Sequence, residues 1–168
     1  MIYFATLIFT LLLSQIARAK PACGDAASPQ DVYNASDHEQ YPPAASYKVV
    51  WDYIYDYRGA YTNGVVCSNT NQLASNFPQF SKFPAFPYLG GAFDIKWGSP
   101  TCGQCWKLTN KKTSRSIFIT AIDAVWPDWA GFNIGKVAFS DLNGGVAYTD
   151  PLDVEAVPVS KTPCVARS

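Results

Sequence analysis

The hydrophobic and polar positions divide the chain into a front section with neither a helical nor a strand period and a patterned remainder that begins at Tyr47. From Tyr47 to Tyr57 the residues alternate. Tyr47, Val49, Trp51, Tyr53, Tyr55 and Tyr57 face one way, and Lys48, Asp52 and Asp56 share the other with Val50 and Ile54, which predicts a strand. Its aromatic face is set either to be buried against a second layer or, in part, to line an open groove. Asn63-Gly64 then supplies a turn into Val65-Val66-Cys67. Phe77 to Tyr88 interleaves aromatic rings with Pro78, Pro84 and Pro87, a density that forbids a central strand or a helix and predicts an extended crossover laying rings over the core. Leu89-Gly90-Gly91-Ala92 closes it with backbone freedom.

Further along, Cys105 to Thr109 and Ile117 to Ile122 read as strands joined across the polar loop Asn110 to Ser114, with Asp123 at the carboxyl end of the second. Asn133 is placed to cap a helix whose apolar positions are Ile134, Val137, Ala138 and Leu142 and which stops at Asn143-Gly144-Gly145. Val154, Ala156 and Val157 to Val159 make a last strand leading to Cys164. The pattern describes a mostly β domain with at least one helix.

The front section changes the picture by its compartment. Residues 1 to 19 are apolar and end in Ala17-Arg18-Ala19, the small-x-small pattern that signal peptidase cuts after, so a secreted chain beginning at Lys20 is expected. Ser14 and Gln15 interrupt the segment, which is too short for a good membrane span. Residues 20 to 46, rich in Ala, Pro, Ser and Asp, read as a flexible arm carrying the glycosylation sequon Asn34-Ala35-Ser36. Thirteen basic and thirteen acidic residues leave the chain neutral, and no basic run exceeds Lys111-Lys112. Nucleic acid, which requires clustered positive charge, is excluded as a partner. Aromatics are the real excess, with five tryptophans and ten tyrosines, enough to build a core and leave a minority for recognition.

The chain is organised around Trp97-Gly98-Ser99-Pro100-Thr101-Cys102-Gly103-Gln104-Cys105-Trp106. Secretion makes disulfides the default state of the five cysteines. Two arrangements stand open. Either Cys67 pairs with Cys102 and Cys105 with Cys164, or Cys102 and Cys105 form a redox pair and leave Cys67 and Cys164 to each other. Cys23, on the arm, is left over in the first arrangement and offers self-association through an intermolecular bridge. Zinc is disfavoured because the only histidine, His38, sits far away in the arm, and no metal or other cofactor is expected.

Taken together, Asp56-Tyr57-Arg58-Gly59, Val65-Val66-Cys67-Ser68, Phe86-Pro87-Tyr88-Leu89-Gly90-Gly91, the cysteine-rich centre, Ala121-Ile122-Asp123 and Gly131-Phe132-Asn133-Ile134 resemble the cerato-platanin family over residues 47 to 164. The resemblance implies a fungal secreted protein with a six-stranded double-psi β-barrel and short helices, similar to the first domain of expansins. It also implies the pairing Cys67 with Cys102 and Cys105 with Cys164, binding of chitin oligomers, elicitation of plant defence through a host receptor, and self-assembly at interfaces. The arm, with Cys23 and the sequon, has no counterpart in short family members, and the chain is a few residues longer between Asp123 and Gly131, where Trp126 and Trp129 are added.

The reading is therefore a non-catalytic cell-wall protein that binds oligosaccharide. The resemblance implies that Asp123 and Asn133 lie in a shallow groove, where a carboxylate would accept sugar hydroxyls and an amide both donate and accept, and Tyr55, Trp51, Trp126 and Trp129 are candidate stacking platforms. A glycoside hydrolase is the rival, since related barrels act as endoglucanases. Hydrolysis needs two carboxyl groups, and with Asn133 in the second position the acid would have to be Asp128. A third reading is a surface-active protein whose effect lies in self-assembly or recognition by a host.

Overall fold

The computed structural model describes residues 44–145 and 150–165. The leader at 1–19, most of the arm, Cys23 and Asn34 lie outside the described residues. Six strands close into a barrel: β1 (Ala45–Trp51), β2 (Leu89–Ala92), β3 (Cys105–Asn110), β4 (Ser116–Ala124), β5 (Phe132–Ile134) and β6 (Leu152–Val159), in the spatial order β1-β5-β2-β4-β3-β6. The pairs β1–β5 and β2–β4 are parallel and the other four are antiparallel. Closure leaves the barrel without a free edge. Short helices decorate it: α1 (Leu73–Asn76), α2 (Lys136–Leu142) and α3 (Thr162–Val165). Among the described residues no helix is long and apolar enough to cross a membrane.

The β3–β4 hairpin and the final strand follow the sequence pattern, and several other segments depart from it. The aromatic strand stops at Trp51, because the Asp52 carboxylate accepts from the Ile54 amide at 3.0 Å and caps a 3₁₀ turn over Tyr53–Asp56. Beyond Trp51 the period is three, so Tyr55 is buried while Tyr53 and Tyr57 point to solvent. Strand β1 also begins at Ala45, which makes the last two residues assigned to the arm an exposed part of the barrel's first strand.

The second departure is Gly90-Gly91, read from the sequence as the end of the crossover with backbone freedom. It is the middle of β2, buried and hydrogen-bonded on both sides. Glycine is required there for close approach: a Cβ on Gly90 would lie 2.4 Å from the Asn133 carbonyl oxygen, and one on Gly91 2.3 Å from that of Ala124. Third, Asn133 caps no helix. It lies within β5, the N-cap of α2 is Gly135, and Asp56 caps the helix from outside by accepting from the Lys136 and Val137 amides at 2.6 and 3.2 Å. Val137 is accordingly exposed, and Ala138, Phe139 and Leu142 form the buried face of α2.

The disulfides are Cys67–Cys102 and Cys105–Cys164, which overturns the redox alternative. Gly103, at φ +79°, turns the chain between the two central cysteines, and its amide donates to the Ala121 carbonyl at 2.8 Å. Cys105 can thereby enter β3 while Cys102 stays in the preceding turn and reaches Cys67. Phe80 and Phe83 of the proline-rich crossover are buried, as its ring pattern predicts, but the crossover is not extended: a 3₁₀ helix over Phe80–Lys82 and a turn at 84–87 bend it between its prolines.

Candidate functional site

Asp123 emerges at the end of β4, and three groups hold its carboxylate. Oδ1 accepts from the Val66 amide at 3.0 Å and from the Ala124 amide at 2.9 Å, while the Tyr55 hydroxyl donates to Oδ2 at 3.3 Å. The Val66 contact exists because the Cys67 amide is bonded to the Ile122 carbonyl at 3.2 Å, which lays residues 66–67 beside the strand. A carboxylate offers about four acceptor positions, so one remains for a ligand. The groove over it has a volume of about 510 Å³ and is lined by Ile54, Tyr55, Tyr57, Tyr61, Val65 and Asp123 among others. Tyr57 and Tyr61 are 63% and 67% exposed, flat rings beside a polar acceptor.

Burial raises the Asp123 pKa above the ordinary carboxylate value, and the hydrogen bonds from Val66, Ala124 and Tyr55 only partly oppose it. Burial likewise pushes Asp56 and Asp94 up, and the Tyr55 hydroxyl is raised by its own burial and then by the neighbouring Asp123 charge. An acid whose folded pKa exceeds its unfolded value favours the folded state when protonated. Its stabilisation is complete below the unfolded value, near 3.8, and is lost as pH rises through the raised folded value. The melting temperature is therefore expected to rise as pH is lowered from about 7 toward about 4, and Asp123→Asn should flatten part of the slope; a calorimetric scan showing steady loss over that range would contradict the assignment.

The predicted site residues do not all converge. Gly91 is in register with Asn133 on one side and Asp123 on the other, so the two lie on strands either side of β2, roughly 10 Å apart by strand spacing. Asn133 is 6% exposed, its Oδ1 is buried without a hydrogen-bond partner, and it does not line the groove. Tyr55 forms the groove's buried wall and stacks on Phe80 with ring centroids 6.1 Å apart. Trp51 is half-buried beneath the Lys136 ammonium, 5.0 Å from its ring centroid, and stands outside the groove. Trp126 and Trp129 are 77% and 58% exposed, and neither lines the Asp123 groove. Of the rings that do flank it, Tyr57 belongs to the aromatic row that the sequence reading allowed to line a groove in part, though not to its named stacking platforms, and Tyr61 escaped that reading. The signal for Tyr57 was Asp52, a capping residue within the aromatic run that announces the end of the two-residue period.

Among the described residues no cluster of His, Cys, Asp and Glu is arranged to hold a metal ion. Asp123 is the one acid among the residues lining its groove, and Asp128 belongs to a different groove.

The cerato-platanin family model matches residues 47–164. The chain is 43% identical over 101 residues to the allergen Asp f 15 of Aspergillus fumigatus, covering 59% of this chain and 63% of that protein. It is 37% identical over 103 residues to cerato-platanin of Ceratocystis fimbriata f. sp. platani, covering 60% and 74%. The match thus spans a little under two thirds of the allergen's length. The solution structure of the fungal elicitor cerato-platanin superposes with a TM-score of 0.62 at 34% identity, over 73% of this chain and 98% of that one. The crystal structure of cerato-platanin 2 from M. perniciosa gives 0.63 at 33% identity, over 71% and 98%. With a six-stranded barrel, its two disulfides and the family model running from β1 to α3, the chain belongs to the cerato-platanin family.

Proposed function

We propose that this protein is a secreted, non-hydrolytic carbohydrate-binding protein of the cell wall, taking chitin or related β-linked oligomers in the Asp123 groove and acting as an elicitor. The observation that carries the reading is the pairing of exposed Tyr57 and Tyr61 with a carboxylate that keeps one acceptor position open. The C–H face of a pyranose packs on such rings, and its hydroxyls need a fixed acceptor. Hydrolysis is less well supported, because a second carboxyl would have to flank the scissile bond and Asp128 lines another groove. Two disulfides suit an oxidising, extracellular compartment.

The test is retention on chitin, cellulose and β-glucan particles, with reducing ends assayed in the supernatant. Tyr57→Ala and Tyr61→Ala should each weaken retention about fivefold, on the order of 1 kcal/mol per stacking ring, with little change in melting temperature because both rings are exposed. Asp123→Asn keeps an acceptor for the Val66 amide and should weaken binding without unfolding the domain. Reducing ends released by the wild type and lost in Asp123→Asn would favour the hydrolase, and particles that retain nothing would reject the carbohydrate reading.

A further inference from the structure

The loop between β4 and β5 builds a second groove, of about 410 Å³, which shares no lining residue with the Asp123 groove. Tyr47 and Phe93, stacked with centroids 4.5 Å apart, form its floor, and both meet Phe132 edge-on at 5.5 and 6.0 Å. Trp129, 58% exposed, stands on its wall. The indole is held on a tied backbone. The Ala130 amide donates to the Pro127 carbonyl at 3.0 Å and the Gly131 amide to the Lys48 carbonyl at 2.9 Å, while the Gly131 carbonyl accepts from the Phe93 amide at 2.9 Å. Ala130 is 1% exposed, and a Cβ on Gly131 would lie 2.5 Å from Tyr47 Cβ, so the loop's return is packed directly on the floor. Around the rings stand Asp128 and the exposed Lys48–Asp153 ion pair, whose Nζ and Oδ1 are 2.7 Å apart.

We propose that this groove is a second, independent site for a neutral β-linked oligosaccharide, one pyranose lying on Trp129 while Asp128 and the Lys48–Asp153 pair take its hydroxyls. The protein is then bivalent toward its polysaccharide. The proposal takes its ligand class from the reading of the Asp123 groove and its location from the loop alone. The polar rim selects among occupants. An apolar ligand would have to desolvate the ion pair, and a basic peptide would meet one uncompensated carboxylate, Asp128, with Lys48 beside it. A sugar uses both halves of the groove, ring for its C–H face and charged groups for its hydroxyls. Two sites on one rigid barrel raise retention on a polymer, since the second binding event becomes intramolecular.

Titration with chitohexaose and cellohexaose, followed by calorimetric stoichiometry and by the indole N–H resonances, tests it. The wild type should bind at two sites. Trp129→Ala should weaken one site about fivefold and leave the affinity of the other unchanged, Tyr57→Ala/Tyr61→Ala should weaken the other by about 25-fold and spare the first, and the three substitutions together should weaken both, with melting temperatures close to wild type throughout. Trp129→Phe keeps a ring and should recover part of the lost binding. One wild-type site, weakened by the tyrosine pair and untouched by Trp129→Ala, would overturn this proposal and leave the Asp123 groove standing. Binding lost only with Trp129 would do the reverse, and a groove that takes an oligolysine peptide in place of either sugar would overturn the ligand assigned to it.

Discussion

Replacing Cys105 and Cys164 together by serine is expected to lower the melting temperature by on the order of 15 °C. The bridge joins residues 59 apart in sequence, and a loop of that size removes about 4 kcal/mol of chain entropy from the unfolded state. For a domain of this size each kcal/mol moves the melting point by about 4 °C. Cys67–Cys102 spans 35 residues, and because loop entropy grows only logarithmically its removal should cost nearly as much, again about 4 kcal/mol. The two losses should differ in function. Cys67 fixes the segment whose Val66 amide holds Asp123 Oδ1, whereas Cys164 lies in α3 and does not line the groove. Below the melting point, oligosaccharide binding should survive loss of Cys105–Cys164 and weaken on loss of Cys67–Cys102. Thermal scans and titrations of both serine pairs check this; equal binding in the two variants would remove the structural link between bridge and site.

What was legible in the sequence follows from the range over which each signal acts. The β3–β4 hairpin reads correctly because its period, its polar loop and Asn110 are all local; Asn110 Oδ1 accepts from the Lys112 and Thr113 amides at 2.9 and 3.3 Å within that loop. Period alone misled at Tyr53–Asp56, where one side-chain bond from Asp52 changes the repeat from two to three and exchanges a buried face for an exposed one. Asn133 looks like a helix cap from its neighbours, but strands β1 and β2, more than forty residues upstream, claim it for the sheet. Its place beside Gly91 is a property of barrel closure, which no local window contains. The position of Asp123 was legible as the end of an apolar run; the exposure of Tyr57 was not, because it depends on the 3₁₀ turn, and Tyr61 stands outside the alternating run altogether, bridged to Gln79.

Glycine-rich stretches are usually read as freedom, and here the same residues carry the tightest constraint on the site. Gly91→Ala should destabilise the domain by about 3 kcal/mol or more, the upper end of overpacking costs, and lower the melting temperature by more than about 10 °C. The new methyl would sit 2.3 Å from the Ala124 carbonyl oxygen, 2.8 Å from its carbon and 3.2 Å from the Asp123 carbonyl oxygen. All three are backbone atoms of β4, so no side chain can rotate to make room. Relief requires β2 and β4 to separate, at the bulge where their register shifts between Gly90 and Gly91. Because Asp123 is one of the residues displaced, oligosaccharide binding should fall by more than the loss of folded protein accounts for. Gly64→Ala supplies the control: nothing lies within 4 Å of its Cβ, and its stability should stay within about 0.5 kcal/mol of wild type. Urea and thermal unfolding of the two variants, with binding of Gly91→Ala compared with wild type well below its midpoint, decide the matter; Gly64 lines the groove and so controls stability alone, and a Gly91→Ala protein as stable as Gly64→Ala would mean that β2 and β4 yield at little cost and that the close approach is not what positions Asp123.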